Sequence, residues 1–409
     1  MKQYFTLALI GLFLSGCGSN SNTRNVQQEV KGGQLIFEMN AKTIKQGLLV
    51  QGWPVDERKI YGYKAYKIPY VTTDEKDNKI NVSGLLVIPT ELDSPLIENG
   101  LSLVSNGHGT ITSTFNSPTG ISEDEIPIDS ALMFSSLGGF ATLEADYIGY
   151  GDSRGVNHPY VMKKSLANCS IDFINAVKGF ATTNAIKLND KLFVTGYSEG
   201  GYTAMSTLKK LEESNITVTA AAPMAGPYNL NLMADTIFEK STKEENDYSY
   251  VYALLTLNSY AQSYDHNISE LINTNYVSVE RLLNGFYDID EIWDELPVTL
   301  EGEEGLLHSS FIANYQENNN YWLKQSLQEN SVDNWTPKTP IKLVHCKGDD
   351  QVPYRIAEET YQHFVNNGAN DIEFITPDSE LVNSWNHVEC YYPALEFVTE
   401  WFVEQRDRI

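Results

Sequence analysis

Residues 193–205 read FVTGYSEGGYTAM, and the fold turns on how this stretch is read. Ser198 stands between Gly196 and Gly200 in a G-x-S-x-G spacing that is common enough to be incidental. Its setting is more telling. The run KLFVTG (191–196) has the length and composition of a buried strand, and GGYTAMSTLKKLEE after it has a helical period. A serine on a strand-to-helix turn is held in a strained backbone conformation with its hydroxyl presented outward. Glycines two residues to either side remove the clash that side chains would make there. The helix N-terminus favours negative charge developing beside it. The stretch therefore predicts a nucleophile on a sharp turn.

Outward from this turn, short apolar segments alternate with amphipathic ones. LSLVSNG (101–107), GFATLEADY (139–147), ITVTAAAPMAG (216–226), PIKLVHC (340–346) and DIEFITP (371–377) read as strands. Residues 158–183, 354–367 and 391–405 read as helices. Such alternation predicts a mostly parallel sheet covered on both faces, an α/β architecture. Upstream, residues 64–90 (KAYKIPYVTTDEKDNKINVSGLLVIPT) alternate as two strands about Asp77-Asn78, an antiparallel hairpin. Between Pro227 and Pro337 the alternation stops, and the chain becomes helical, tyrosine-rich and acidic. We read residues 46–227 and 339–409 as the two parts of one core, with 228–338 inserted as a helical cap over the sheet's carboxyl edge.

The first residues, MKQYFTLALIGLFLSGCG, place Lys2 before an apolar run from Tyr4 to Leu14, then small residues and Cys17. The run is too short to span a bilayer and has the layout of an export signal. LSGC resembles the lipobox of bacterial lipoproteins, which implies removal of residues 1–16 and acylation of Cys17. Gly18-Ser19 lack the Asp that retains such proteins at the inner membrane of Gram-negative cells, so an outer-membrane lipoprotein is expected. The chain is polar from Ser19 to about Val30, and residues 17–45 read as a tether.

The 409-residue chain carries a net charge of −25, and loss of Lys2 with the signal leaves −26. So acidic a body is repelled by nucleic acid and by anionic lipid, which leaves acylated Cys17 as the expected bilayer partner. No C-x-x-C or H-E-x-x-H spacing points to a metal, and no cofactor is expected.

A serine nucleophile needs a base and an orienting acid, in the chain order Ser, Asp or Glu, His. Of the seven histidines, His387 in NSWNHVEC lies in a polar segment after the last strand, where the base belongs. His363 falls inside a helix and His108 in a loop of architectural use. The acid belongs in HCKGDDQVPY, where Asp349 and Asp350 compete. Oxyanion donors are expected from the backbone N–H of Glu199 and from the loop VSNGHGT, at Thr110 with Gly109 as the alternative. If the acid and His387 meet, Cys346 and Cys390 leave the same small region, and an oxidising compartment allows them to form a disulfide.

DYIGYGDSRGVNHPY (146–160), followed by a helix and GYSEGG, resembles the secretory lipase-like branch of the α/β-hydrolase superfamily. HCKGDDQVP resembles the H-G-x-x-D-x-x-V-P pattern of many α/β hydrolases, whose acid stands four residues before the proline. Position by position, Ser198 matches the nucleophile, Asp349 the acid and His387 the base. Cys346 replaces the pattern's glycine, and Glu199 stands where Gln is frequent, its side chain expected to turn away. Asp146, Arg154 and His158 read as a structural network. The resemblance implies a cofactor-free serine esterase or lipase acting on esters with apolar acyl groups. A peptidase related to prolyl oligopeptidases and an inactive hydrolase-like binding lipoprotein are the rival readings.

The lipobox reading has a direct test. Cys17→Ser is expected to move the protein from the membrane fraction to the soluble fraction and to remove the lipid mass. Unchanged fractionation and mass would contradict the anchor.

Overall fold

The computed structural model describes residues 28–50, 53, 59–120, 131–244 and 247–408. The signal, Cys17 and the tether up to residue 27 lie outside the described residues. Among the described residues ten strands form one sheet: β1 Gln28–Val30, β2 Gly33–Met39, β3 Gly62–Thr73, β4 Lys79–Thr90, β5 Leu101–Gly107, β6 Ala141–Ala145, β7 Leu188–Tyr197, β8 Ala220–Met224, β9 Ile341–Val344 and β10 Ile372–Ile375. Their spatial order is β1-β2-β3-β4-β6-β5-β7-β8-β9-β10.

The strands β6, β5, β7, β8, β9 and β10 are parallel, while β1 to β4 and the β4–β6 pair run antiparallel. The reason is visible in the side chains. β5 is buried at all seven positions and β8 at all five, as a strand covered on both faces must be. The hairpin β3–β4 turns through Asp74–Asn78, where Asp74 caps the amides of Lys76 and Asn78 and Asp77 takes φ 62°.

Two further strands precede that hairpin, which corrects the tether boundary at residue 45. β2 pairs with β3 from Gln34↔Lys67 to Met39↔Tyr63, and a helix follows at Ala41–Val50. Only Leu35 of β2 is fully buried, so a strand near the sheet's edge looks as polar as a linker.

From β5 the chain goes to β6 on one side and then crosses to β7 on the other. Connections that diverge in this way open a crevice beyond the carboxyl ends of β5 and β7, the usual place for a ligand in open α/β sheets. Gly107 ends β5 directly opposite Gly196 of β7, so His108 and Ser198 emerge side by side.

The stretch between β8 and β9 is helical, with its main helices at Leu230–Phe238, Ser249–Ser263, Ser309–Glu317 and Trp322–Asn330. Phe238, Phe311 and Tyr315 pack edge to face within it. Tyr202 and Tyr260 pin it to the core by donating to Asn330 O at 2.7 Å and Val161 O at 3.2 Å.

Cys346, just after β9, is bonded to Cys390 in the last helix, His387–Asp407, and the bridge closes a separation of 44 residues. Closing a loop of that size stabilises a fold by about 2–4 kcal/mol. The double variant Cys346→Ser/Cys390→Ser is expected to melt measurably earlier than the oxidised protein in a thermal scan. An unchanged midpoint, with both wild-type thiols alkylatable before reduction, would contradict the bridge.

Candidate active site

Ser198 has φ 60° and ψ −123°, a conformation that a non-glycine residue adopts only when its surroundings enforce it. The enforcement is local. Ser198 N–H donates to Met224 O at 3.0 Å, and Tyr202 N–H donates to Ser198 O at 3.1 Å as the helix Glu199–Glu213 begins. A Cβ on Gly200 would lie 1.9 Å from Gly107 O, and one on Gly196 would lie 2.3 Å from Gly200 O. No side chain fits at either place, so glycine on both sides of the serine is a packing requirement.

The two carboxylates that compete in sequence separate cleanly in space. His387 Nδ1 lies 2.7 Å from Asp349 Oδ2, whereas Asp350 Oδ1 accepts from the His387 backbone N–H at 3.1 Å. Asp349 is thus placed to orient the imidazole, and Asp350 holds the main chain that carries it. His387 is the first residue of the last helix rather than part of a preceding loop, with Asn386 as its cap. Tyr197, next to the nucleophile, packs its ring 5.0 Å from the His387 imidazole and donates to His387 O at 2.7 Å.

Asp349 has a second imidazole. His345 Nε2 lies 3.0 Å from Asp349 Oδ2 and 3.1 Å from Val352 O, so this nitrogen carries the proton and donates. Gln351 N–H and Val352 N–H donate to the other carboxylate oxygen at 3.0 and 2.8 Å. Burial alone would raise the Asp349 pKa, but hydrogen bonds from His345 and His387 outweigh it and hold the carboxyl well below the usual range. It stays ionised wherever an imidazole titrates. Its stabilising contribution is complete above the unfolded value near ~3.9 and is lost as pH falls from there toward the folded value.

Asp378, which the sequence does not single out, joins the loops of acid and base. It is 1 % exposed and accepts from Lys347 N–H at 3.0 Å and from Trp385 N–H at 3.1 Å. An aspartate after a strand carries no motif, so its role is visible only in space.

On the other side of the nucleophile lies the loop after β5. A Cβ on Gly109 would stand 3.8 Å from Ser198 Cβ, and Thr110 Oγ1 bonds Tyr160 Oη at 3.0 Å. Tyr150 donates to Ile111 O at 2.5 Å and Tyr147 to His108 O at 3.3 Å. The His108 ring stacks 4.0 Å from Tyr147, and burial lowers its pKa despite the nearby Glu199 carboxylate. This loop carries Thr110 and Gly109, the sequence candidates for an oxyanion donor, and the N–H of Glu199 opens the facing helix.

Asp146 accepts from Ser83 Oγ at 2.5 Å and from Thr119 N–H at 2.8 Å, and Arg154 lies over the exposed ring of Phe286. His158 instead reaches Glu199. Among the described residues no group of three or more His, Cys, Asp or Glu converges as a metal site.

A narrow cleft runs from Ser198 and Glu199 beneath the cap. Its walls are apolar, with Leu230, Met233, Ile237, Phe238, Leu257 and Leu327 among them. Tyr252 of the cap donates to Gln351 Oε1 at 2.5 Å and so ties the cleft to the acid loop.

The profile of the Prolyl oligopeptidase family matches residues 129–274, the part of the chain that holds β6, β7, the elbow and β8. No curated protein matches the chain significantly. Among solved structures, a Legionella pneumophila protein provisionally named a hydrolase is 24 % identical, with a TM-score of 0.78 over 91 % of this chain and 96 % of its own. The rice cell wall degrading esterase LipA from Xanthomonas oryzae is 21 % identical, with a TM-score of 0.75 over 92 % of this chain and 97 % of its own. Candida antarctica lipase A is 15 % identical, with a TM-score of 0.63 over 93 % and 84 %. At these identities the likeness shows the fold: the chain has the α/β-hydrolase fold.

The geometry separates the two aspartates experimentally. Asp349→Asn is expected to slow labelling by a serine-directed fluorophosphonate by about 10⁴-fold, because an amide favours the wrong imidazole tautomer. Asp350→Asn is expected to cost far less. The reverse order of the two variants would contradict the assignment.

Proposed function

We propose that this protein is a serine hydrolase that cleaves carboxylic esters through an acyl-enzyme. The observation that carries the reading is the 2.7 Å contact between His387 Nδ1 and Asp349 Oδ2, with the His387 ring packed on Tyr197, the neighbour of a strained Ser198. Because Asp349 is ionised and can only accept, Nδ1 of a neutral His387 holds the proton, and Nε2 is left as the base. His387 Nε2 takes the proton of Ser198 as Oγ attacks the ester carbonyl. The N–H groups of Glu199 and Thr110 stabilise the oxyanion. The same proton then leaves with the alcohol, and water releases the acid by the reverse sequence.

The apolar cleft under the cap suits the acyl chain, and burying each methylene there contributes about 0.8 kcal/mol. A serine esterase or lipase of the secretory lipase-like branch is supported by the G-Y-S-x-G-G elbow, the DYIGYGDSRGVNHPY segment and the fold shared with LipA and the Candida lipase. Lipid-anchored display at the outer membrane through Cys17 belongs to the same reading, supported by LSGC. The second reading is a peptidase, favoured by the family match over residues 129–274. An apolar cleft with few polar groups to hold a peptide backbone supports the ester.

A panel of p-nitrophenyl esters from acetate to palmitate, beside chromogenic peptides, tests the proposal. Ester hydrolysis is expected, and Ser198→Ala is expected to lower kcat by four or more decades while leaving the folded state intact. Peptide cleavage without ester cleavage, or a folded Ser198→Ala protein that keeps its rate, would overturn it.

A further inference from the structure

A buried carboxylate stands where the ester chemistry least tolerates negative charge. Glu199 opens the helix that follows Ser198 and is 1 % exposed. Its backbone N–H is one of the two oxyanion donors in the reaction proposed for this site. The short side chain keeps the carboxylate within about 5 Å of that nitrogen, and so within about 8 Å of an oxyanion bound to it. At an effective dielectric of about 20, a like charge at that range slows formation of an anion by about 10- to 100-fold.

His158 meets that carboxylate. Its Nε2 lies 2.8 Å from Glu199 Oε1, and its Nδ1 lies 2.8 Å from Ile148 O. A carbonyl can only accept, so Nδ1 carries a proton. Nε2 and Oε1 would both be acceptors without a second proton between them, and their close approach requires one. Wherever that proton sits, the pair has no net charge. Around it stand His108, Tyr147, Tyr150 and Tyr160, with Tyr202 on the helix of Glu199 itself. Burial lowers the His108 pKa and raises those of the four phenols, so all five groups are uncharged near neutral pH. Among the described residues, His158 is the only ion-pairing partner of Glu199.

We infer that His158 is a positioning residue of the esterase reaction, holding Glu199 in a neutral pair so that the oxyanion can form on the Glu199 N–H. This rests on the serine-esterase reading above. In this role His158 touches neither substrate nor reacting atoms and acts through Glu199. A glutamine at position 199 would need no such proton, because its amide is neutral and can donate to Nε2 of a neutral imidazole. A glutamate there does need one, since a buried carboxylate without a balancing charge is costly in itself and opposes the anion that the site must stabilise.

The test follows hydrolysis of p-nitrophenyl butanoate from about pH 6 to about pH 9, each rate corrected for hydroxide-catalysed hydrolysis. It is run on the wild type, Glu199→Gln, His158→Gln and the double variant His158→Gln/Glu199→Gln. The amide in His158→Gln can still donate a hydrogen bond to Glu199 but brings no titratable proton, so the Glu199 carboxyl becomes anionic as pH rises. His158→Gln is expected to fall about 10- to 100-fold below the double variant in kcat and in kcat/KM alike, because the charge opposes the transition state. The deficit is expected to grow with pH until the carboxyl is fully ionised. Both variants share His387, so its own titration cancels in their ratio. In the wild-type background Glu199→Gln is expected to bring no such gain.

A role in packing alone would leave the double variant no faster than His158→Gln at any pH, and that result overturns this inference while the esterase reading stands. A deficit that shrinks as pH rises, or a gain from Glu199→Gln that is equal in both backgrounds, also overturns it. Where His158→Gln does not fold, the double variant decides. Folded and active double variant supports the charge balance, and a double variant that fails to fold likewise overturns it. Failure of the wild type to cleave any ester, without labelling of Ser198, overturns both.

Discussion

The active end of this sheet depends on one close approach. Where β5 and β7 end side by side, the first turn of the helix Glu199–Glu213 comes down onto their backbones, with room only for hydrogen at Gly107, Gly196 and Gly200. Methyl groups at these positions would lie 2.7, 2.3 and 1.9 Å from backbone oxygens. A second approach continues the first, since a Cβ on Gly201 would meet Met224 O of β8 at 2.2 Å. The helix can sit this low only if the residue joining it to β7 takes a positive φ, and that residue is Ser198. The strain on the nucleophile is a consequence of packing, and the buried sheet is what sustains it.

The other half of the site is assembled differently. Asp349 lies on the loop after β9 and His387 starts the last helix at the end of another loop, 38 residues away, and they are held by cross-links rather than by close packing. Asp378 takes one amide from each loop, Asp350 takes the His387 amide, and the Cys346–Cys390 disulfide closes the same region. His345 adds a second donor to the oxygen that faces His387. A carboxylate with four N–H donors has little freedom to rotate, so the imidazole it orients is fixed as well. The positions of acid and base therefore depend on polar contacts, whereas that of the nucleophile depends on sterics.

Much of this was legible in the residues, for reasons that can be named. The parallel strands are buried on both faces and read as apolar runs, and the β3–β4 hairpin announced itself by alternation around Asp77-Asn78. The elbow was legible because sterics leave its glycines no substitutes. β2 reads as tether because a strand near the edge keeps few apolar positions. The choice between Asp349 and Asp350 needed a borrowed pattern, since adjacent carboxylates differ only in where they point. Asp378 and the pairing of Glu199 with His158, 41 residues apart, left no local trace at all. Polar contacts between distant loops have no sequence period, and periodicity is what a sequence reading detects.

The claim on which the rest stands is that Ser198 is a nucleophile and not merely a strained turn. Peptide mapping of the protein after treatment with a fluorophosphonate tests it most directly. One phosphonyl adduct per chain is expected, on the peptide that contains Ser198, with no adduct when His387 is replaced by Ala. An adduct on another residue, or an untouched Ser198 in folded protein, would contradict it.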